Sequence, residues 1–244
     1  MDDKPPRLSF YRVAPAGVSL ITQGRRLGIL SAAFNPITRA HLALAHSAHQ
    51  HYQLHEVLFL LPITQPHKAI HDAPIEARLR MMALAVQGNP AYSIGLCTHG
   101  LFIDICRAVE AAYPPQTRWW FITGRDAAER ILTWPYPDPE KTLSELFAKA
   151  ELLVADREGA FVLPDMPVVR QHALQVHNLP LPAEYSHVSA TQIRTRLAKG
   201  EDVSALVPPP VLTYIQAHHL YHELGQRPST SPLASGPGEA EKRA

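Results

Sequence analysis

The sequence predicts an α/β fold, a doubly wound parallel sheet with helices on both faces. Three observations predict it. From residue 27 onward, short apolar runs of strand length alternate with longer runs of helical period, and such alternation places helices over a parallel sheet. The stretch LGILSAAFNPITRAH, residues 27–41, reads in turn as strand, turn and helix start. A second helix start lies in VSATQIR, residues 188–194, where Ser189 and Gln192 stand at capping-box spacing.

The elements follow in order. Residues 1–26 form an extension ahead of the first core strand, with two β-like runs, LSFYRVAP and VSLITQG, suited to a hairpin around Pro15, Ala16 and Gly17. Residues 27–30 are a buried strand, and ITRAHLALAHSAHQHY is a helix. A second buried strand spans 56–61 and stops at Pro62, and ITQPHKAIHDAP is a loop. A helix over 75–86, a strand over 91–96 and a helix over 101–113 come next, the last ending at Pro114 and Pro115. The run RWWFIT, 118–123, is a strand carrying Gly124 and Asp126 at its carboxyl end. A short helix over 143–150 precedes a strand over 151–156, and a strand is expected around 173–177. Ser189 opens a helix that Gly200 closes, and residues 208–220 form a last helix entered through prolines. Residues 224–244 are Gly, Ser, Pro and charge without apolar period, a disordered tail. The core domain is therefore 27–223.

Bulk properties narrow the function classes. A net charge of +1 leaves no basic surface for nucleic acid. No apolar run approaches the length of a membrane span, and no leader is visible. The only two cysteines, Cys97 and Cys106, lie in apolar runs, which fits a reducing, cytoplasmic setting. Fourteen histidines raise the question of a metal, but no cysteine or carboxylate stands at zinc-site spacing around His46, His49, His51 and His55 or around His218, His219 and His222. A solvated polar face explains them, and no metal ligand is expected. Oligomeric state is not legible.

Thr38 and His41 stand three apart at a helix start, so hydroxyl and imidazole share a face beside free N–H groups and the positive end of the helix dipole. That arrangement binds phosphate, and an imidazole there can donate to an oxygen on which charge builds. The bland reading is a helix cap. Arg194 offers an always-charged fork of donors from the second helix start. Gly124 lets a ligand approach the backbone, and Asp126 can accept from ribose hydroxyls. Trp134 can stack on a heteroaromatic ring or simply pack in the core.

These motifs resemble those of the HxGH-type nucleotidyltransferase superfamily, whose (T/H)xGH and ISSTxIR motifs correspond here to Thr38-Arg39-Ala40-His41 and VSATQIR. Nearest in resemblance are the bacterial nicotinate-nucleotide adenylyltransferases. The PHK of residues 66–68, FITGRDAAERILTW, Arg157-Glu158-Gly159 and PPPVLTYIQAHHLY match further family stretches in order, covering roughly residues 27–221. The resemblance implies a Rossmann-like sheet of the nucleotidyltransferase type with a small C-terminal helical segment. It implies transfer of AMP from ATP to nicotinate mononucleotide, with nicotinamide mononucleotide as a second acceptor, release of pyrophosphate, and a place in NAD biosynthesis. Thr38, His41 and Arg194 are then catalytic. Ala33, Phe34, Lys68, Gly124, Asp126, Ser189 and Thr191 hold ATP and its phosphates, and Asp104, Trp134 and Arg157 meet the acceptor. Mg²⁺ arrives on the ATP phosphates.

The sequence departs from the family in three places. Ser31-Ala32-Ala33 replaces a glycine-rich turn, and each methyl narrows the approach to the backbone. Thr38 and Ala40 replace a histidine and a glycine, although threonine occurs at the first position in the related phosphopantetheine adenylyltransferases. Residues 100–106 keep Asp104 but lack the hydroxyls that line the family's nicotinate site, so weak discrimination between acid and amide is expected. Two other readings stay open: a nucleotidyltransferase of phosphopantetheine or cytidylyl type, and a non-catalytic nucleotide-binding protein.

Overall fold

A computed structural model describes residues 4–14, 24–64, 73–156 and 160–221. His67, Lys68, Arg157, most of the run 18–24 and the tail 224–244 lie outside the described residues.

Strands β1 (Leu8–Arg12), β2 (Arg26–Ser31), β3 (Glu56–Pro62), β4 (Tyr92–Cys97), β5 (Arg118–Thr123), β6 (Ala150–Asp156) and β7 (Val176–Pro180) form one sheet. Their order is β1-β4-β3-β2-β5-β6-β7; β1 runs antiparallel to β4 and every other pairing is parallel. The apolar runs of β2, β3 and β5 reflect burial on both faces. Helices α1 (Arg39–His51), α2 (Ile75–Val86), α7 (Ala190–Ala198) and α8 (Pro209–Ala217) cover one face and share its core, with α8 packed on α2. Helices α3 (Phe102–Glu110), α4 (Arg125–Thr133), α5 (Pro139–Lys149) and α6 (Pro167–Gln171) cover the other.

Gly28 shows how closely these layers approach. A Cβ there would lie 2.6 Å from Leu54 Cδ1 and 2.9 Å from Ile122 Cδ1, inside van der Waals contact.

Three expectations change. The extension does more than precede the core: β1 is an edge strand of the main sheet, paired with β4. Arg12 ties it down by donating to the carbonyls of Val86, the last residue of α2, and of Asn89 just past it (2.6 and 3.1 Å), where a cation complements the helix dipole. The strand expected at 173–177 begins at Val176, opposite Leu152. Residues 173–175 form a 3₁₀ turn instead, from which Gln175 donates to the Phe147 carbonyl (2.5 Å) near the end of α5. The segment after Gly124, read as a motif without an element, is helix α4.

The end of α7 follows expectation. Gly200 takes φ +71°, and N–H groups of Gly200 and Glu201 close on the Leu197 and Arg196 carbonyls.

Candidate active site

Strand order reverses at β2, with β3 and β4 to one side and β5 to β7 on the other. Ligands of open α/β sheets bind at the carboxyl ends of the strands where the order reverses. A cavity of about 400 Å³ lies there. Ser31 and Ala32 leave β2 at its edge, Thr38 and His41 enter from α1, Gly124 to Asp126 from the end of β5, and Ser189 from the start of α7.

Thr38 is the N-cap of α1 and not part of its first turn. Its hydroxyl accepts from the His41 N–H (3.3 Å), and His41 Nδ1 accepts from the Thr38 N–H (3.1 Å). Thr38 Oγ1 also lies 2.9 Å from His41 Nδ1. The capping box is thus complete. With Nδ1 engaged as acceptor, the neutral ring carries its proton on Nε2. The Phe34 ring meets the imidazole edge-on at 5.1 Å and packs on Phe59 behind it, so the orientation of His41 is built into the core.

Phe34 is 1 % exposed and adopts φ +43°, a region costly for a non-glycine residue, so its side chain is a wall under His41. Ala33 points its carbonyl at Arg78 (3.4 Å). Arg194 Nη1 donates to the Asn35 carbonyl at 3.0 Å, which joins α7 to the turn after β2. Ser189 caps α7 by accepting from the Gln192 N–H (3.2 Å), while Thr191 is exposed and outside the cavity wall.

A Cβ on Gly124 would touch nothing within 4 Å, so the space before it is open to a ligand. Asp126 is exposed at the cavity and is the one carboxylate among its described lining residues. Asp104 and Trp134 are not brought to this cavity. Asp104 pairs with Arg107 on α3 (3.3 Å), and Trp134 packs half-buried against the core beneath α3 to α6. Sequence reasoning missed Arg125 and Arg130, which line the cavity from α4. Reading GRDAAER as helical would have found Arg130, because Asp126 and Arg130 share a face.

A larger groove of about 730 Å³ flanks the opposite side of α1. It is walled mainly by apolar groups such as Leu42, Leu181 and Tyr185, and the helix-start donors face the smaller cavity. Burial pushes the Cys106 thiol up to about 12 and raises Cys97 as well, so neither is a nucleophile at neutral pH. Among the described residues, no group of three His, Cys, Asp or Glu side chains is placed to hold a metal, and no helix is long and apolar enough to cross a membrane.

A largely parallel sheet reversing at β2, with a helix-start imidazole and an open glycine lining one cavity at the strands' carboxyl ends, has the architecture of a nucleotide-binding α/β domain. The Cytidylyltransferase-like family matches residues 29–196, most of the chain. A probable nicotinate-nucleotide adenylyltransferase of Bordetella pertussis is 34% identical over 210 residues, 80% of this chain and 98% of the relative. One of Thermus thermophilus is 33% identical over 201 residues, covering 80% and 99%. The structure of Plasmodium falciparum nicotinic acid mononucleotide adenylyltransferase complexed with NaAD superposes with a TM-score of 0.60 at 18% identity, covering 81% of this chain and 97% of that one. The chain belongs to the nicotinate-nucleotide adenylyltransferases of the Cytidylyltransferase-like family, and it is a nucleotidyltransferase.

Proposed function

We propose that the chain transfers AMP from ATP to nicotinate mononucleotide, supplying a step of NAD biosynthesis in the cytoplasm. The observation that carries this reading is the convergence of His41, Gly124, Asp126 and Ser189 on one cavity at the sheet's switch point. The relatives' names supply the acceptor.

The acceptor's 5′-phosphate attacks the α-phosphorus of ATP in line, a P–O bond to the acceptor forms, and pyrophosphate leaves with the bonding pair. No side chain becomes covalently attached, since positioning and charge stabilisation carry such transfers. His41 donates from Nε2 to a phosphate oxygen. Thr38, whose N–H and hydroxyl meet the ring's other nitrogen, positions it. The α1 and α7 starts add backbone N–H groups and their dipoles. Asp126 accepts from ribose hydroxyls while Gly124 leaves room for the nucleoside. The cavity offers cations and N–H groups with a single carboxylate, a donor set that suits Mg²⁺ carried by the triphosphate, where it would neutralise charge.

Pyrophosphate release measured over a panel of nucleoside triphosphates and acceptors tests this. Turnover with ATP and nicotinate mononucleotide is expected. Turnover only with CTP or with phosphopantetheine, or none with any pair, overturns it.

A further inference from the structure

The turn between β2 and α1 is pinned at two carbonyl-bearing residues on either side of Phe34. We infer that Arg78 and Tyr221, neither of which reaches the cavity, are positioning residues that set this turn and through it His41.

Arg78 lies in α2 and is 4 % exposed. Its Nε donates to the Ala73 carbonyl at 2.9 Å and its Nη1 to the Ala33 carbonyl at 3.4 Å. A buried guanidinium demands acceptors, and its planar fork fixes where they lie relative to each other. The position of Ala33 is thereby referred to α2. On the other side of Phe34, Asn35 is 5 % exposed, and its Oδ1 accepts from the Tyr221 hydroxyl at 2.8 Å. Tyr221 follows α8, which packs on α2, so both restraints come from one helix pair behind the site.

Between these two anchors Phe34 is held at φ +43°, a conformation that persists only where its surroundings over-determine it. Its ring contacts the His41 imidazole at 5.1 Å. A shift of Ala33 or Asn35 therefore moves Phe34, and Phe34 moves the imidazole. Buried polar groups with a purely architectural task would not need to converge on the two neighbours of one strained residue.

The test separates positioning from folding, and it rests on the adenylyl-transfer reading. Wild-type turnover with ATP and nicotinate mononucleotide checks that reading independently in the same assay. Tyr221→Phe removes only the hydroxyl and keeps the ring. Its melting temperature is expected to stay within a few degrees of wild type while kcat falls about ten- to a hundredfold, the scale of an ångström-sized misplacement. KM for the acceptor is expected to hold. Arg78→Lys keeps the charge, loses the fork, and is expected to show the same split. The double variant should lose less than the product of the singles, because both act on one turn. Wild-type kcat in Tyr221→Phe overturns the inference, as does a loss of rate that merely tracks the folded fraction seen by circular dichroism. If Arg78→Lys fails to fold, Tyr221→Phe alone decides.

Discussion

The guanidinium of Arg194 donates to the main-chain carbonyl of Asn35 at 3.0 Å, across 159 positions of sequence. That single bond joins the helix start of residues 188–194 to the turn after β2. It holds the two helix starts on one side of the sheet.

Arg194 holds the turn, and the family resemblance gives it a phosphate as well, so its replacement is expected to show both. His41→Ala removes a donor that strengthens as charge moves onto the phosphates, so kcat is expected to fall about a hundred- to a thousandfold, roughly 3–4 kcal/mol. Arg194→Ala should lose at least as much, because the turn is loosened as well. Acting on the same charge, the double variant should lose less than the two singles summed. Single-turnover rates, with circular dichroism as a check on folding, measure this. Near wild-type turnover in His41→Ala would mean that the capping box is only a helix start.

Gly124 gives a test confined to binding. A methyl there meets no protein atom and the backbone is extended, so Gly124→Ala should fold and melt like the wild type. The methyl enters the space proposed for the nucleoside, and a mismatch of that size is worth roughly tenfold or more. KM for ATP should rise by that factor with KM for the acceptor little changed. Unaltered ATP kinetics would move the nucleoside elsewhere.

The family resemblance, not the described cavity, puts the start of α3 beside the acceptor, and acceptor choice tests that expectation. Residues 101–106 are apolar apart from Asp104, whose carboxylate faces Arg107. A site without dedicated donors for a carboxylate should separate nicotinate from nicotinamide mononucleotide weakly. We expect a ratio of kcat/KM below about a thousandfold in favour of the acid. A larger ratio would reveal a carboxylate site that these residues do not announce.

Stability should fall in mild acid. His55 Nδ1 accepts from the Arg26 N–H at 3.1 Å, and burial, then the charges of Arg26, Arg25 and His49, push its pKa below the ordinary 6.5. Burial, then His46, lowers His49 in the same sense. The unfolded chain takes up these protons first as pH falls, so the contribution is complete above about pH 6.5 and is lost below it. Melting temperature followed from pH 8 to 5 should decline below that point. His55→Asn, which keeps an acceptor but does not titrate, should flatten part of the decline. A melting temperature that rises from pH 7 to 5.5 would contradict the assignment.

One further polar cluster anchors the far end of the sheet. Glu56 at the start of β3 is buried with Arg25 at 3.1 Å and the Tyr113 hydroxyl at 2.9 Å, a polar knot at the opposite end of the sheet from the cavity. Breaking one partner of such a knot leaves an uncompensated buried charge.

Local chemistry made much of this legible in sequence. The apolar runs of β2, β3 and β5 name their own burial, and helix α2 occupies the residues its period predicts, because a strand or helix pattern is a property of neighbouring residues. Ser189 and Gly200 mark the ends of α7 for the same reason: a cap is made within one turn. Tertiary structure alone decided what depends on distance. The sheet order made β2 the switch point, gave the N-terminal run at Leu8 its partner in β4, and delayed β7 until Gln175 had reached the end of α5. It also brought Arg194 and Arg78 onto the backbone of one turn and Tyr221 onto the side chain of its Asn35, because a carbonyl oxygen accepts from whichever donor the packing presents, and no residue type in the sequence records that choice.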